Sequence, residues 1–204
     1  MERLPLDRSV LDSALERMDI ADIAQATIRQ SGDIARILEN ETGTEFLHLE
    51  MGVGSMQGSF TLFLLCSQLD PKKNKILFID PGFPVQRNQV HILNIPHASF
   101  DIYEYRAEKL GPKLESYLAQ GDVAAIVYSN PNNPAWICLT EEELRTVGEL
   151  ASRYDAIVIE DLAYLCMDFR KPLGRPFEAP YQSSVARYTQ NYILMISGSK
   201  IFSY

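Results

Sequence analysis

Three stretches of this chain each place a different reactive group directly after an apolar run. Residues 124–128 lead into Ser129-Asn130-Pro131-Asn132-Asn133-Pro134, residues 157–160 into Asp161-Leu162-Ala163-Tyr164, and residues 192–196 into Ser197-Gly198-Ser199-Lys200. An amide, an acid with a phenol, and an amine thus follow three successive runs. Such an amine can attack a carbonyl, and an acid can keep a basic nitrogen protonated. Amide and phenol can both donate to an oxyanion. A fourth stretch, Gly52-Val53-Gly54-Ser55-Met56-Gln57-Gly58, opens a helical pattern, where free N–H groups and the helix dipole favour a phosphate. Taken singly, each has an ordinary explanation: an Asn-Pro turn, a helix-capping aspartate, a chance Ser-x-Ser-Lys, a flexible glycine turn. Their conjunction, each group at the end of its own run, points to one site.

The elements that must position these groups are short. Residues 46–49, 75–79, 124–128, 156–159 and 192–196 are β-rich, and most are apolar throughout rather than alternating, as expected of strands buried on both faces. Helical patterns lie between them at 57–69, 107–119 and 141–154, the last opened by Thr140 with Glu143 at the capping-box spacing. This alternation predicts an α/β fold with a mainly parallel sheet flanked by helices, whose ligands bind at the carboxyl ends of the strands. Residues 1–43 read as a separate N-terminal helical segment: Ser9 and Asp12 have capping-box spacing, and an apolar stripe runs from Val10 to Ile28. Residues 168–184, with prolines at 172, 176 and 180, read as an extended surface excursion.

On these motifs the chain resembles the class I and II aminotransferases, the fold type I enzymes that use pyridoxal 5'-phosphate (PLP). The resemblance implies that Lys200 forms the Schiff base and that Asp161 pairs with the pyridine nitrogen, keeping the ring an electron sink. Asn133 and Tyr164 match the residues that hold the ring's 3-oxygen. Gly54, Ser55 and Met56 match the phosphate loop, and Ser197 adds a hydroxyl. Asp80-Pro81-Gly82-Phe83 is similar to the family's Pro-x-aromatic, so Phe83 is expected to stack on the ring. The implied catalytic residues are Lys200, Asp161 and Tyr164, and the implied reaction moves an amino group between an amino acid and a 2-keto acid. A β-lyase or amino-acid decarboxylase of the same fold type would share these residues, and a non-catalytic protein could keep the fold. A PLP-binding transcription regulator is disfavoured because no basic helix-turn-helix pattern precedes the domain.

Composition narrows the partners. Lysine and arginine total 19 against 27 acids, a formal charge of −8, which disfavours nucleic-acid and anionic-membrane surfaces. No apolar run approaches the ~20 residues that span a bilayer. Cys66, Cys138 and Cys166 show no paired spacing, and His48, His91 and His97 no metal-like spacing. A cytoplasmic homodimer without metal is the expectation, its partners small molecules.

Two departures from the family pattern stand out. The family continues Asn-Pro-Thr-Gly or Asn-Pro-Ser-Gly, whereas this chain reads Asn133-Pro134-Ala135-Trp136, so the loop conformation is expected to differ. Family members are also about twice as long. Residues 44–204 are therefore expected to form an incomplete PLP-binding large domain without the C-terminal small domain, inactive alone. Val53-Gly54 is expected to mark a junction where the family has further segments. No arginine is designated for the substrate carboxylate; were the 204-residue chain active by itself, Arg87 or Arg106 would be the first to mutate as a substitute.

Overall fold

The computed structural model describes residues 52–165, 167 and 183–201. The expected helices within 1–43, the strand at 46–49, Cys166 and most of the excursion at 168–184 lie outside the described residues. The elements run α1 (Ser55–Leu69), β1 (Lys75–Asp80), α2 (Pro84–Ile92), β2 (His97–Asp101), α3 (Leu110–Leu118), β3 (Val123–Ser129), α4 (Glu141–Arg153), β4 (Ile157–Leu162), β5 (Tyr192–Ile196) and α5 (Gly198–Ile201). Short 3₁₀ turns stand at Ile102–Glu104, Ala107–Lys109 and Val185–Arg187.

All strand pairs are parallel and the sheet order is β2-β1-β3-β4-β5. Side chains alternate across a strand, so β1 sends Leu77 and Ile79 to one face and Ile76 and Phe78 to the other. The first face packs with Leu110, Leu114 and Leu118 of α3 and Leu144, Val147 and Leu150 of α4. The second packs with Phe63 and Cys66 of α1 and Val90 of α2. Because both faces are covered, the central strand β3 is buried from Val123 to Tyr128, which is why it reads as a continuous apolar run.

Helix α4 begins at the expected capping box. Thr140 Oγ1 accepts from the Glu143 backbone at 3.2 Å and Glu143 Oε2 accepts from Thr140 N at 2.9 Å. Gly148 of α4 is required by close approach, since a Cβ there would lie 2.8 Å from Tyr188 Cβ and 3.1 Å from its backbone.

The expected helix at 107–119 is instead a 3₁₀ turn followed by α3, with Ala107 at φ 53°. Helix α2 and strand β2 were not legible as periodic elements. Strand β2 sits at the sheet edge and buries only Phe100.

Candidate functional site

Chain order and spatial order disagree between β1 and β3: β2 lies on one outer side of β1, and β3 returns to the other. The loops leaving β1 and β3 therefore diverge and leave a crevice at the carboxyl edge, where open α/β sheets take their ligands. Asn132 spans it, its Nδ2 donating to the Pro81 carbonyl at 2.7 Å. Strand register sets Ser129 beside Asp161 and Asp161 beside Met195. The three expected motifs thus emerge from adjacent strands in one row.

Asp161 is buried, 5% exposed, at the end of β4. Its Oδ1 accepts from Ala163 N at 3.0 Å and its Oδ2 from Gln86 Nε2 of α2 at 2.8 Å. Burial pushes its carboxyl above the ordinary range, and the two hydrogen bonds only partly offset this. A buried acid held in this way gains most from a cationic donor.

Asn133 and Tyr164 meet: Asn133 Nδ2 donates to Tyr164 Oη at 3.2 Å. The loop carrying Asn133 is a closed turn, with Trp136 N donating to Asn132 O at 2.8 Å, Asn132 N to Ile137 O at 2.8 Å and Ala135 N to Asn132 Oδ1 at 3.0 Å. Trp136 adopts φ 53°. The indole stands in the left-handed conformation that glycine adopts freely, at a cost of about 1–2 kcal/mol for a side-chain-bearing residue. Its ring meets Tyr164 edge to face, with centroids 5.2 Å apart, a contact worth about 0.5–1.5 kcal/mol.

Gly54, at φ 84°, is the residue from which α1 starts, with Ser55 and Met56 in the first turn and no side chain capping that end. The first turns face β5, for a Cβ on Gly58 would lie 3.7 Å from Met195 Sδ. Ser197, two residues after Met195, is buried, and its Oγ lies 2.8 Å from Ser199 Oγ. Lys200 follows in α5 and is exposed. Phe83 is half-buried and caps α2, its carbonyl accepting from Gln86 N at 3.1 Å.

Gln86 and Gln89 were not anticipated. They are buried on one face of α2 at a spacing of three, a signal visible in the sequence once a helix is assigned there. Gln89 Nε2 donates to the Met56 carbonyl at 2.8 Å and its Oε1 accepts from Ser59 Oγ at 2.7 Å. Helix α2 thereby ties the start of α1 to Asp161. Arg87 and Arg106, the first to mutate were the chain active by itself, are both engaged: Arg87 pairs with Asp80, and Arg106 makes a bidentate pair with Glu143 at 2.6 Å. Burial would push Glu143 up, but Arg106 and the N–H groups of Ala107 and Thr140 hold its carboxyl below the ordinary range.

His91 and His97 stack edge to face against each other, centroids 4.6 Å apart. Among the described residues, no group of three His, Cys, Asp or Glu could hold a metal ion, and no helix is long and apolar enough to cross a membrane.

Comparison with known proteins gives the family and the fold. The family model for aminotransferase class I and II matches residues 33–204. A histidinol-phosphate aminotransferase from Chlorobium phaeovibrioides is 31% identical over 157 residues, which cover 74% of this chain and 40% of that protein. The chain thus spans about two fifths of that relative's length. Among solved structures, an aspartate aminotransferase from Rhodobacter sphaeroides superposes with a TM-score of 0.60 at 25% identity, over 82% of this chain and 43% of that one. A PLP-bound C-S lyase from Staphylococcus hominis superposes with a TM-score of 0.64 at 18% identity, over 83% and 43% respectively, and shares the fold.

The donor set fits PLP: a buried acid for a protonated ring nitrogen, an amide and phenol for an oxyanion, an uncapped helix start for a phosphate, and an amine one turn past β5. With a fold type I architecture and a family match over most of its length, the chain belongs to the class I and II aminotransferases, whose cofactor is pyridoxal 5'-phosphate.

Proposed function

We propose that this chain supplies the cofactor-binding part of an amino-acid aminotransferase, one that moves an amino group from an amino acid to a 2-keto acid. The observation that carries the reading is the placement of Asp161. It is a buried acid at the carboxyl end of β4, oriented by Gln86 and set in register between the strands that lead to Asn133 and to Lys200. PLP supplies an aldehyde for amine exchange and a ring that delocalises negative charge from the substrate carbon. Lys200 would hold that aldehyde through Nζ and, once displaced by the substrate amine, would carry a proton at that atom. Asp161 holds a proton on the ring nitrogen. Tyr164 and Asn133 would donate to the ring oxygen, Phe83 would cover the ring, and Gly54, Ser55, Met56 and Ser197 would hold the phosphate.

The reading extends to the rest of the molecule. Residues 44–204 are taken as the cofactor domain, with residues 1–43 preceding it. The working unit is a homodimer in the cytoplasm, a setting suited to three cysteines without paired spacing. Support for the reaction comes from the family and from the histidinol-phosphate aminotransferase relative.

The test is an acceptor assay on the full protein with PLP, an amino-acid donor and a panel of 2-keto acids. Appearance of the new amino acid in proportion to donor consumed supports the reading. Release of ammonia with a keto product, or of carbon dioxide, without acceptor consumption would assign a lyase or a decarboxylase instead. Sedimentation of the active protein as a monomer would contradict the dimer.

A further inference from the structure

We propose that Trp136 is a positioning residue, whose indole holds the ring of Tyr164 so that the phenol stays on Asn133; the proposal rests on the PLP reading above for its consequence. Of the described non-glycine residues with positive φ, namely Asn94, Ala107, Trp136 and Asp155, Trp136 is the bulkiest. Asparagine and aspartate tolerate that conformation through their short polar side chains, which tryptophan lacks. The turn does not need the indole. Its closing bonds run between backbone groups and Asn132, and a glycine at 136 would make them with no steric penalty.

Burial does not explain the residue either, because Trp136 remains 50% exposed. What the indole does is meet Tyr164, at 5.2 Å between centroids and 67° between planes. Tyr164 is consequently held at both ends by one loop, its hydroxyl by Asn133 and its ring by Trp136. The loop is itself anchored to two other parts of the carboxyl edge. Asn132 bonds to Pro81 after β1, and Tyr103 Oη, from the turn after β2, lies 3.5 Å from the Ala135 carbonyl. A backbone outlier whose side chain meets a candidate site residue is where local strain is expected to carry function.

Trp136 is the sole tryptophan in the chain, so its emission reads the contact directly. In cofactor-free protein, Tyr164→Ala is expected to red-shift that emission and to increase its quenching by iodide. Trp136→Gly is expected to leave the melting temperature unchanged or to raise it by about 2–4 °C, as relief of roughly 1 kcal/mol does in a chain of this size. With PLP added, a loosened Tyr164 donates less well to the ring oxyanion. The pKa of the PLP–lysine chromophore should then rise in Trp136→Gly, PLP affinity should fall, and Trp136→Phe, which keeps an aromatic edge, should restore both. Unchanged emission in Tyr164→Ala would overturn the contact and the proposal with it. A chromophore pKa in Trp136→Gly equal to that of the unaltered protein would reduce the pair to packing and overturn the positioning role. Failure of the unaltered protein to form any chromophore would refute the proposed function, whereas the cofactor-free emission would still decide whether Trp136 holds Tyr164.

Discussion

Strand β4 carries two consecutive buried acids on opposite faces, and they lead different lives. Glu160 is fully buried and accepts from Asn130 Nδ2 at 3.1 Å, Ser184 Oγ at 2.6 Å and Val185 N at 3.0 Å. It fastens the start of the 185–187 turn to the sheet and to the first residue of the Asn130 loop. Asp161 has two donors, one of them the side chain of Gln86 on a separate helix, and it lies at the carboxyl end of β4. Burial pushes both carboxyls upward, so neither burial nor titration distinguishes a fastening acid from a reactive one. The difference lies in what faces each carboxylate: a ring of donors from the Asn130 loop and residues 184–185 for Glu160, the carboxyl edge of the sheet for Asp161.

The sharpest way to break this comparison is to neutralise each acid in turn. Asp161→Asn in the full protein is expected to lower transamination by on the order of 10²–10³-fold, the usual loss when one electrostatic partner of a developing charge is removed. Its fold should survive, because Oδ1 still accepts from Ala163 N, the Gln86 amide can turn over to accept from the new Nδ2, and no charge is desolvated. Glu160→Gln should do the reverse. The amide keeps one acceptor oxygen where three donors converge, and a stranded donor costs about 1–3 kcal/mol. A urea titration should show the lost stability while PLP binding persists. Equal loss of turnover in both variants, with equal stability, would erase the distinction.

A smaller effect separates the acids by pH. An acid whose folded pKa is raised binds more protons when folded, so stability is highest below its ordinary value and falls as pH rises through the raised one. Cofactor-free protein should therefore lose stability between the ordinary aspartate value of about 3.9 and the higher pKa of Asp161. Asp161→Asn should remove its share of that slope, leaving the share of Glu160. Identical slopes in the two proteins, by thermal melts across pH, would contradict the assignment.

The smallest expected effect concerns Gln86. Gln86→Leu removes the donor to Asp161 Oδ2, which stabilises the charged form, so the same pH midpoint should move further upward and stability at neutral pH should fall by about 0.5–1.5 kcal/mol. A midpoint that stays or falls would show that Gln86 does not orient the acid.

The sequence made the strands legible where both faces are covered. Residues 124–128 announce themselves because nothing polar can stand in a strand buried throughout; residues 192–196 read as apolar although only Met195 of that edge strand is buried, and Thr140 with Glu143 announces α4 by local hydrogen bonding alone. Asp161 and Lys200 were legible as reactive groups closing such runs. Helix α2 was not, since its buried positions are Gln86, Gln89 and Val90, and two of those three carry no apolar signal. The pairings that order the site, Gln86 with Asp161 and Gln89 with Met56, join residues 75 and 33 positions apart and leave no local trace. Trp136 was legible as a departure, but its left-handed backbone and its contact with Tyr164 belong to the folded loop.

The central claim is that PLP is held at the carboxyl edge with its aldehyde on Lys200. Borohydride reduction of the protein with PLP, followed by peptide mapping, tests it most directly. The account predicts a pyridoxyl label on Lys200, and a label confined to Lys72, Lys73 or Lys75 would contradict it.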